Sequence, residues 1–174
     1  MNTVVVRRRA ARFAAVLVLA ASTLVAAGGS ADALPPYTCG TQTGGSSSTY
    51  GHVTAVRVGH HIGFDRFVVQ FSSSRVPSYR IVPKSSAIFW LDPSGQRVTL
   101  RGHAGLLVVM HPASGFGTYR GPNDFRTTFP QLREARRIGD FEGYYSWGLG
   151  LTRASCKRVF TLTAPTRLVI DVPA

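Results

Sequence analysis

Hydrophobic and polar residues alternate along most of the chain from residue 52 to residue 174, in short runs separated by turn residues. The clearest run is 66–71, where Phe67, Val69 and Phe71 fall on one face and polar or smaller side chains on the other. A period of two residues is typical of a β-strand with one buried face. The repetition of such runs predicts an all-β domain, either a sandwich or a barrel.

The pattern predicts strands at 53–58, 66–71, 79–82, 88–91, 97–100, 105–110, 144–151, 158–162 and 167–172. Pro83 is expected to end the third of them. Turn residues at 92–95 and 163–166 predict two hairpins, and the continuous apolar run 105–110 predicts a central strand. Tyr145 and Trp147 share the apolar face of their strand with two leucines, which predicts that they belong to the core.

Two segments are ambiguous. Residues 131–138 fit a short helix with Leu132, Ala135 and Ile138 on one face, or an edge strand whose arginines face water. We favour the strand because its surroundings are β-patterned. Residues 111–130 form a long stretch rich in glycine, proline and polar residues, and are predicted to be a loop.

The N-terminus has the pattern of an export signal. A cluster of arginines precedes the uncharged apolar run 13–27, and Ala31-Asp32-Ala33 fits a signal peptidase site. The run is short for a spanning helix. We therefore predict a signal peptide at 1–33, with an uncleaved anchor as the alternative, a flexible Gly/Ser/Pro-rich arm at 34–51 and a folded domain at 52–174. The protein is expected to be secreted, extracellular and associated with the cell wall, with no stable membrane span after cleavage.

The chain is strongly basic, with 20 Lys+Arg against 8 Asp+Glu and a formal net charge of +12. Removal of the predicted signal takes away four arginines and one aspartate and leaves +9. Outside the cell such a surface would meet anionic wall polymers, acidic lipid headgroups or glycan carboxylates. The compartment argues against a nucleic-acid partner. The alternative is that the arginines are spread evenly and only maintain solubility.

The chain has only two cysteines, Cys39 and Cys156. An even number in an oxidising compartment predicts one disulfide, and no C-x-x-C motif suggests a redox enzyme.

Five segments resemble the AMIN-like domain of secreted bacterial proteins: 64–71 (FDRFVVQF), 139–143 (GDFEG), 147–151 (WGLGL), 158–162 (RVFTL) and 165–172 (PTRLVIDV). The last two are also similar to the broader AMIN domain, and the resemblance extends over about 52–173. It implies a two-sheet β-sandwich that acts as a non-catalytic targeting module at peptidoglycan. No further domain follows in this sequence, so the resemblance implies no amidase activity.

The candidate ligand-binding residues are the arginines and tyrosines that could present charge or stacking surfaces. They are Arg66, Arg133, Arg136, Arg137, Arg158, Tyr119 and Tyr144, with Phe116 as a further exposed aromatic candidate. Ion pairs between neighbouring strands would equally explain the presence of Arg66, and of Arg167 together with Asp171.

No catalytic, metal or cofactor site is expected. His60 and His61 lie in a predicted turn without a second cluster of ligands, and Ser114 lacks the strand-to-helix context of a nucleophile elbow. Asp140 and Glu142 fit a glycine-flanked turn better than a pair of glycosidase carboxylates.

The leading hypothesis is a secreted envelope module that holds peptidoglycan or an anionic wall polymer through clustered arginines and a few exposed aromatic rings. A sugar platform of aromatic residues is a variant of it. The alternative is an accessory domain that recognises a protein partner at an open sheet edge. Oligomeric state is left open.

Overall fold

Thirteen β-strands and no helix make up residues 33–174, the part of the chain described by a computed structural model. The strands are β1 (Gln42–Gly44), β2 (Gly51–His61), β3 (Phe64–Phe71), β4 (Tyr79–Lys84), β5 (Ile88–Leu91), β6 (Gln96–Thr99), β7 (Ala104–Met110), β8 (Ala113–Ser114), β9 (Asp124–Arg126), β10 (Leu132–Phe141), β11 (Tyr144–Leu151), β12 (Arg158–Leu162) and β13 (Thr166–Pro173). In this range no helix has the length and apolar character needed to cross a membrane. The predicted signal peptide lies, apart from residue 33, outside the described residues.

Two sheets form the layers of the molecule. One has six strands in the order β1-β4-β7-β11-β10-β9, and the other has five in the order β12-β13-β3-β2-β8. Every pairing is antiparallel except the short contact of β2 with β8. The inner faces of both sheets contribute to one core, so the predicted two-sheet β-sandwich is confirmed.

The core follows the alternation read from the sequence. On β3, Phe67, Val69 and Phe71 are buried, and on β11, Tyr145 and Trp147 are buried with the two leucines of the same face. β7 lies between β4 and β11, which confirms the predicted central strand. Each large side chain removed from water contributes about 1.5–3 kcal/mol.

A β-hairpin of β5 and β6 covers part of the outer face of the six-stranded sheet. Phe89 and Leu100 from the hairpin region form a second apolar cluster with Ile138 of β10. Gly148 lies beneath them, and a Cβ there would come within 3.0 Å of the Phe89 ring. The absence of a side chain at this position lets the hairpin approach the sheet closely.

The segment 34–51, predicted as a flexible arm, is attached to the sandwich. β1 pairs with β4, Thr38 pairs with Lys157, and the Cys39–Cys156 disulfide joins the same segment to the start of β12. The compact unit accordingly begins at Ala33 and not at residue 52. The composition of the segment does not predict this attachment, because the attachment is made mostly by backbone amides and carbonyls and involves few apolar side chains.

Three smaller differences concern the predicted elements. β4 continues through Pro83 to Lys84. This is possible because β1 pairs only with Tyr79–Ile81, so no strand on that side of β4 requires a hydrogen bond from position 83, where proline has no N–H. The predicted loop at 111–130 contains the short strands β8 and β9. Residues 132–138 belong to strand β10, as favoured, but β9 covers part of the expected free edge.

Candidate functional site

Arg66 and Arg158 share a single buried carboxylate. Arg66 of β3 donates to both oxygens of Asp171 on β13, with Nε–Oδ1 at 2.6 Å, and Arg158 of β12 donates through its terminal nitrogen to Oδ2 at 2.7 Å. Asp171 is completely buried, whereas the arginine side chains are only partly so. An ion pair between neighbouring strands is therefore present at Arg66, and both guanidinium groups are already bonded. Within residues 33–174, Arg167 makes no such pair and instead donates to the carbonyl of Pro165.

Aromatic rings surround these two arginines. The Arg66 guanidinium lies 5.0 Å from the centre of the Phe64 ring and 5.4 Å from that of Phe160, and the Arg158 guanidinium lies 4.8 Å from the Tyr37 ring. Such cation–π contacts hold the planar groups against the outer face of the five-stranded sheet.

The other three candidate arginines lie on the other sheet. Arg133 donates to the carbonyl of Phe129 at 2.9 Å, and Arg137 contacts Asp140 at 3.3 Å. Arg136 is opposite Gly148, the residue beneath the β5–β6 hairpin, and thus faces outward there. The five arginines do not form one patch, which corrects the expected cluster. They are separated because β10 and β3 belong to opposite layers.

The candidate Tyr119 is buried and cannot offer an exposed stacking surface, so this part of the prediction is wrong. Its hydroxyl donates to the carbonyl of Pro122. Burial raises the pKa of Tyr119, while the positive charge of Arg137 acts in the opposite direction. The loop that contains Tyr119 folds its ring inward, which local sequence does not reveal.

Tyr144 is half exposed and belongs to a row of three rings. It stacks on His111, with ring centres 4.0 Å apart and planes at 15°, and it is paired across the β10–β11 hairpin with Phe141, which is also exposed. The turn between them, Glu142-Gly143, has φ of 48° and 78°, the geometry of a type I′ turn. This confirms that the GDFEG segment encodes a turn. We call Phe141, Tyr144 and His111 the aromatic strip.

A groove of about 390 Å³ lies beside the aromatic strip. Its lining includes Ser47, Ser78, Arg80 and Val109 together with Tyr144 and His111. Strand register explains the arrangement, because Arg80, Val109 and Ser146 form the next outward row across β4, β7 and β11. Polar groups therefore run parallel to the rings. Two other grooves of similar volume, about 410 and 430 Å³, are lined mainly by loop serines and threonines.

Asp65 links the two sheets from inside the sandwich. One of its oxygens accepts the backbone N–H groups of Gln131 and Leu132, both at 2.8 Å, and the other is 2.7 Å from Nδ1 of His60. His60 is thus held beside a carboxylate and packs on Phe129. The role of Asp65 was not anticipated, although alternation already places it on the face of Phe67 and Val69.

The two candidate carboxylates near the β10–β11 turn are in different settings. Asp140 accepts hydrogen bonds from the Ser114 hydroxyl at 2.7 Å and from the Gly115 amide at 3.2 Å, while Glu142 is exposed in the turn. Between residues 33 and 174, no group of three or more histidine, cysteine, aspartate or glutamate side chains has a metal-binding arrangement.

These features define a β-sandwich that presents a shallow, ring-lined groove on one outer sheet face and a cationic surface on the other. Residues 51–174 match the family model of the AMIN-like domain. The chain belongs to this family, and the domain is a cell-envelope-related module. Searches of the curated proteins and of the solved structures found no match. The family match begins at β2, so β1 and Cys39 precede the matched region.

Proposed function

We propose that the domain is a non-catalytic module, secreted and wall-associated, that binds the glycan strands of peptidoglycan along the aromatic strip. The observation that carries the proposal is the row formed by Phe141 on β10, Tyr144 on β11 and His111, which directly follows β7. Neighbouring strands are about 4.8 Å apart, so the row spans about 10 Å. Consecutive sugar rings of a glycan could lie across it.

The groove supplies the polar contacts that orient a sugar. Ser47, Ser78 and Arg80 offer hydroxyl and guanidinium groups to ring substituents, while Tyr144 and His111 offer flat apolar surfaces. A few polar groups within a largely apolar site are typical of small-ligand recognition. Of the eight described residues that line the groove, none is a carboxylate, which supports a binding role over acid–base hydrolysis.

The arginines support this choice indirectly. Arg66 and Arg158 are bonded to Asp171, and the arginines of β10 lie on the other layer. The five candidate arginines therefore do not offer one continuous cationic surface to a charged polymer. Recognition by stacking requires only the aromatic strip.

The end strands of the two sheets offer a protein partner little apolar surface. β12, at one end of the five-stranded sheet, has Thr161 as its one exposed residue, and the described residues of β1, β8 and β9 include no exposed apolar side chain. Recognition by strand addition gains specificity from side-chain pockets along the edge. Among its described residues, β12 has no exposed apolar side chain that could form such a pocket.

The test is a pull-down of the exported protein on purified peptidoglycan, with and without attached anionic polymers, at 0.1 M and 1 M salt. Tyr144→Ala and Phe141→Ala are expected to weaken binding at least about tenfold, as truncation of a central contact does. Trp90→Ala removes an exposed ring from the β5–β6 hairpin and is the matched control.

Binding should persist at 1 M salt, where the Debye length is only about 3 Å and attraction between exposed charges is screened. Binding that disappears at high salt and is unchanged in Tyr144→Ala would contradict the proposal and indicate an anionic polymer instead. A module that does not bind stripped peptidoglycan at either salt concentration would equally contradict it.

A further inference from the structure

The outer face of the five-stranded sheet is cationic and carries no exposed acidic side chain. Register places Arg57, Arg66, Arg158 and Arg167 on this face, where Arg66 and Arg158 flank Asp171 and the other two lie beside Gln70. The only acidic residues of the strands in this sheet are Asp65 and Asp171, and both are completely buried. We call the four arginines the arginine face. Their charges exceed what Asp171 neutralises.

An apolar tip adjoins the arginine face. Ile62, in the β2–β3 turn, is fully exposed, and the neighbouring His61 and Phe64 rings stack with centres 4.7 Å apart. The Ala174 amide donates to the Gly63 carbonyl at 3.1 Å, which ties this turn to the end of β13. Ile62 and the His61–Phe64 ring pair together form an apolar projection beside the arginine face.

The N-terminal residues of the described chain lie at the same end. Tyr37 contacts Arg158, and Leu34, three residues earlier, is exposed. On the sequence, the apolar run 13–27 of the predicted export signal ends seven residues before Leu34. Cleavage after residue 33, as predicted, would place the new amino group three residues before Tyr37, which contacts the arginine face.

We propose that the arginine face docks on an anionic phospholipid surface, with Ile62 inserted at the lipid headgroup level. Guanidinium groups bind phosphate through paired N–H donors, and basic residues close to an anionic membrane each contribute attraction. Aromatic rings such as Phe64 and Tyr37 suit the boundary between water and lipid. A soluble anionic polymer would satisfy the arginines but would leave Ile62 in water, which is why a membrane fits better.

The experiment measures co-sedimentation of the exported protein, shown by mass spectrometry to begin near Leu34, with vesicles. One set contains phosphatidylglycerol mixed with phosphatidylcholine, and the other phosphatidylcholine alone. We expect binding only to the first set. Arg57→Glu should weaken it at least about fivefold, the effect of losing one surface-bound arginine, and Ile62→Asp should weaken it about tenfold or more through loss of the inserted side chain.

Matched controls come from the β5–β6 hairpin, which lies on the outer face of the six-stranded sheet. Arg97→Glu makes the same charge change at an exposed position of β6, and Trp90→Ala removes an exposed apolar side chain from β5. Both should bind vesicles as the unaltered protein does. Arg66 and Arg158 are left in place because Asp171 would otherwise lose its partners, and the melting temperature of each variant confirms that it is folded.

Three results would overturn the proposal. Equal binding to both vesicle sets would show that charge is not recognised. Equal weakening by Arg57→Glu and Arg97→Glu would show adhesion through net charge alone. If Ile62→Asp binds vesicles as well as the unaltered protein, and Arg57→Glu binds neither vesicles nor soluble polyphosphate, the arginine face is a site for an anionic polymer. These outcomes are independent of the peptidoglycan test, which depends on the aromatic strip.

Discussion

The two sheets of the sandwich share one core but differ in what they show to the outside. The five-stranded sheet presents the arginine face, with two of its cations fixed on the buried Asp171. The six-stranded sheet is half covered by the β5–β6 hairpin, and its uncovered end presents the aromatic strip. Both faces arise from strands with the same two-residue period.

The difference shows that alternation determines which residues face outward from the core, whereas strand order determines which other residues they contact. Arg66 meets Asp171 and Arg158 because β3, β13 and β12 are neighbours. Tyr144 meets His111 because β11 lies beside β7, although the two residues are far apart in sequence. One face is consequently organised by charge and the other by ring stacking.

The largest effect on stability is expected from removing the disulfide that links the two sheets. Cys39 precedes β1 of the six-stranded sheet and Cys156 precedes β12 of the five-stranded sheet, at a sequence separation of 117. Replacing both cysteines with serine should lower the free energy of unfolding by about 4–5 kcal/mol in the chain-entropy model. Urea denaturation measures it, and reduction of the unaltered protein should give a similar loss. A change below 1 kcal/mol would show that the link is dispensable.

Breaking the charged face comes second. Asp171→Asn keeps the shape of the side chain but leaves Arg66 and Arg158 without their carboxylate, which should cost about 3 kcal/mol. Asp124→Asn is the control, since the Asp124–Arg126 pair at 3.1 Å is solvent-accessible and should be worth under about 1 kcal/mol. If both variants lose the same free energy of unfolding in chemical denaturation, burial of Asp171 does not strengthen its ion pairs.

Alkaline pH should act through the core that both sheets share. Burial raises the pKa of Tyr145 far above its usual value of about 10, so the unfolded chain releases this proton at lower pH than the folded protein. The free energy of unfolding is therefore expected to fall as pH rises past 10, by up to about 1.4 kcal/mol per pH unit.

Tyr145→Phe isolates this contribution, because it removes the titrating hydroxyl and keeps the buried ring. The variant should lose stability less steeply than the unaltered protein in denaturation curves between pH 9 and 11. Burial lowers the pKa of Lys157 and gives the opposite slope below about 10.5, which cancels when the two proteins are compared. Identical slopes would refute the assignment.

The smallest effect on stability is expected at the aromatic strip. Tyr144→Ala and Phe141→Ala remove exposed rings, so each should change the free energy of unfolding by less than about 0.5 kcal/mol. Tyr145→Ala, one position along the same strand, should cost about 3–5 kcal/mol because it opens a cavity. Thermal melting distinguishes the two, and a large loss in Tyr144→Ala would mean that the strip serves the fold.

Much of the sandwich could be predicted from local pattern. The core residues of β3 and β11, the hairpins β5–β6 and β12–β13, and the disulfide all follow from period, turn residues and cysteine count. The arm could not, because β1 is held by backbone hydrogen bonds, which leave no hydrophobic signal. Tyr119 and Tyr144 look alike in sequence, yet only the folding of the 111–130 segment buries the first.

Side-chain period, charge count and cysteine number are enough to predict that this protein is β-rich, basic and disulfide-bonded. They do not predict that the five candidate arginines are divided between two layers, or that Phe141, Tyr144 and His111 form one row. The reason is physical: a strand's pattern specifies its inner and outer face, but a surface is made by neighbouring strands, and their order and register arise only when the sheets assemble.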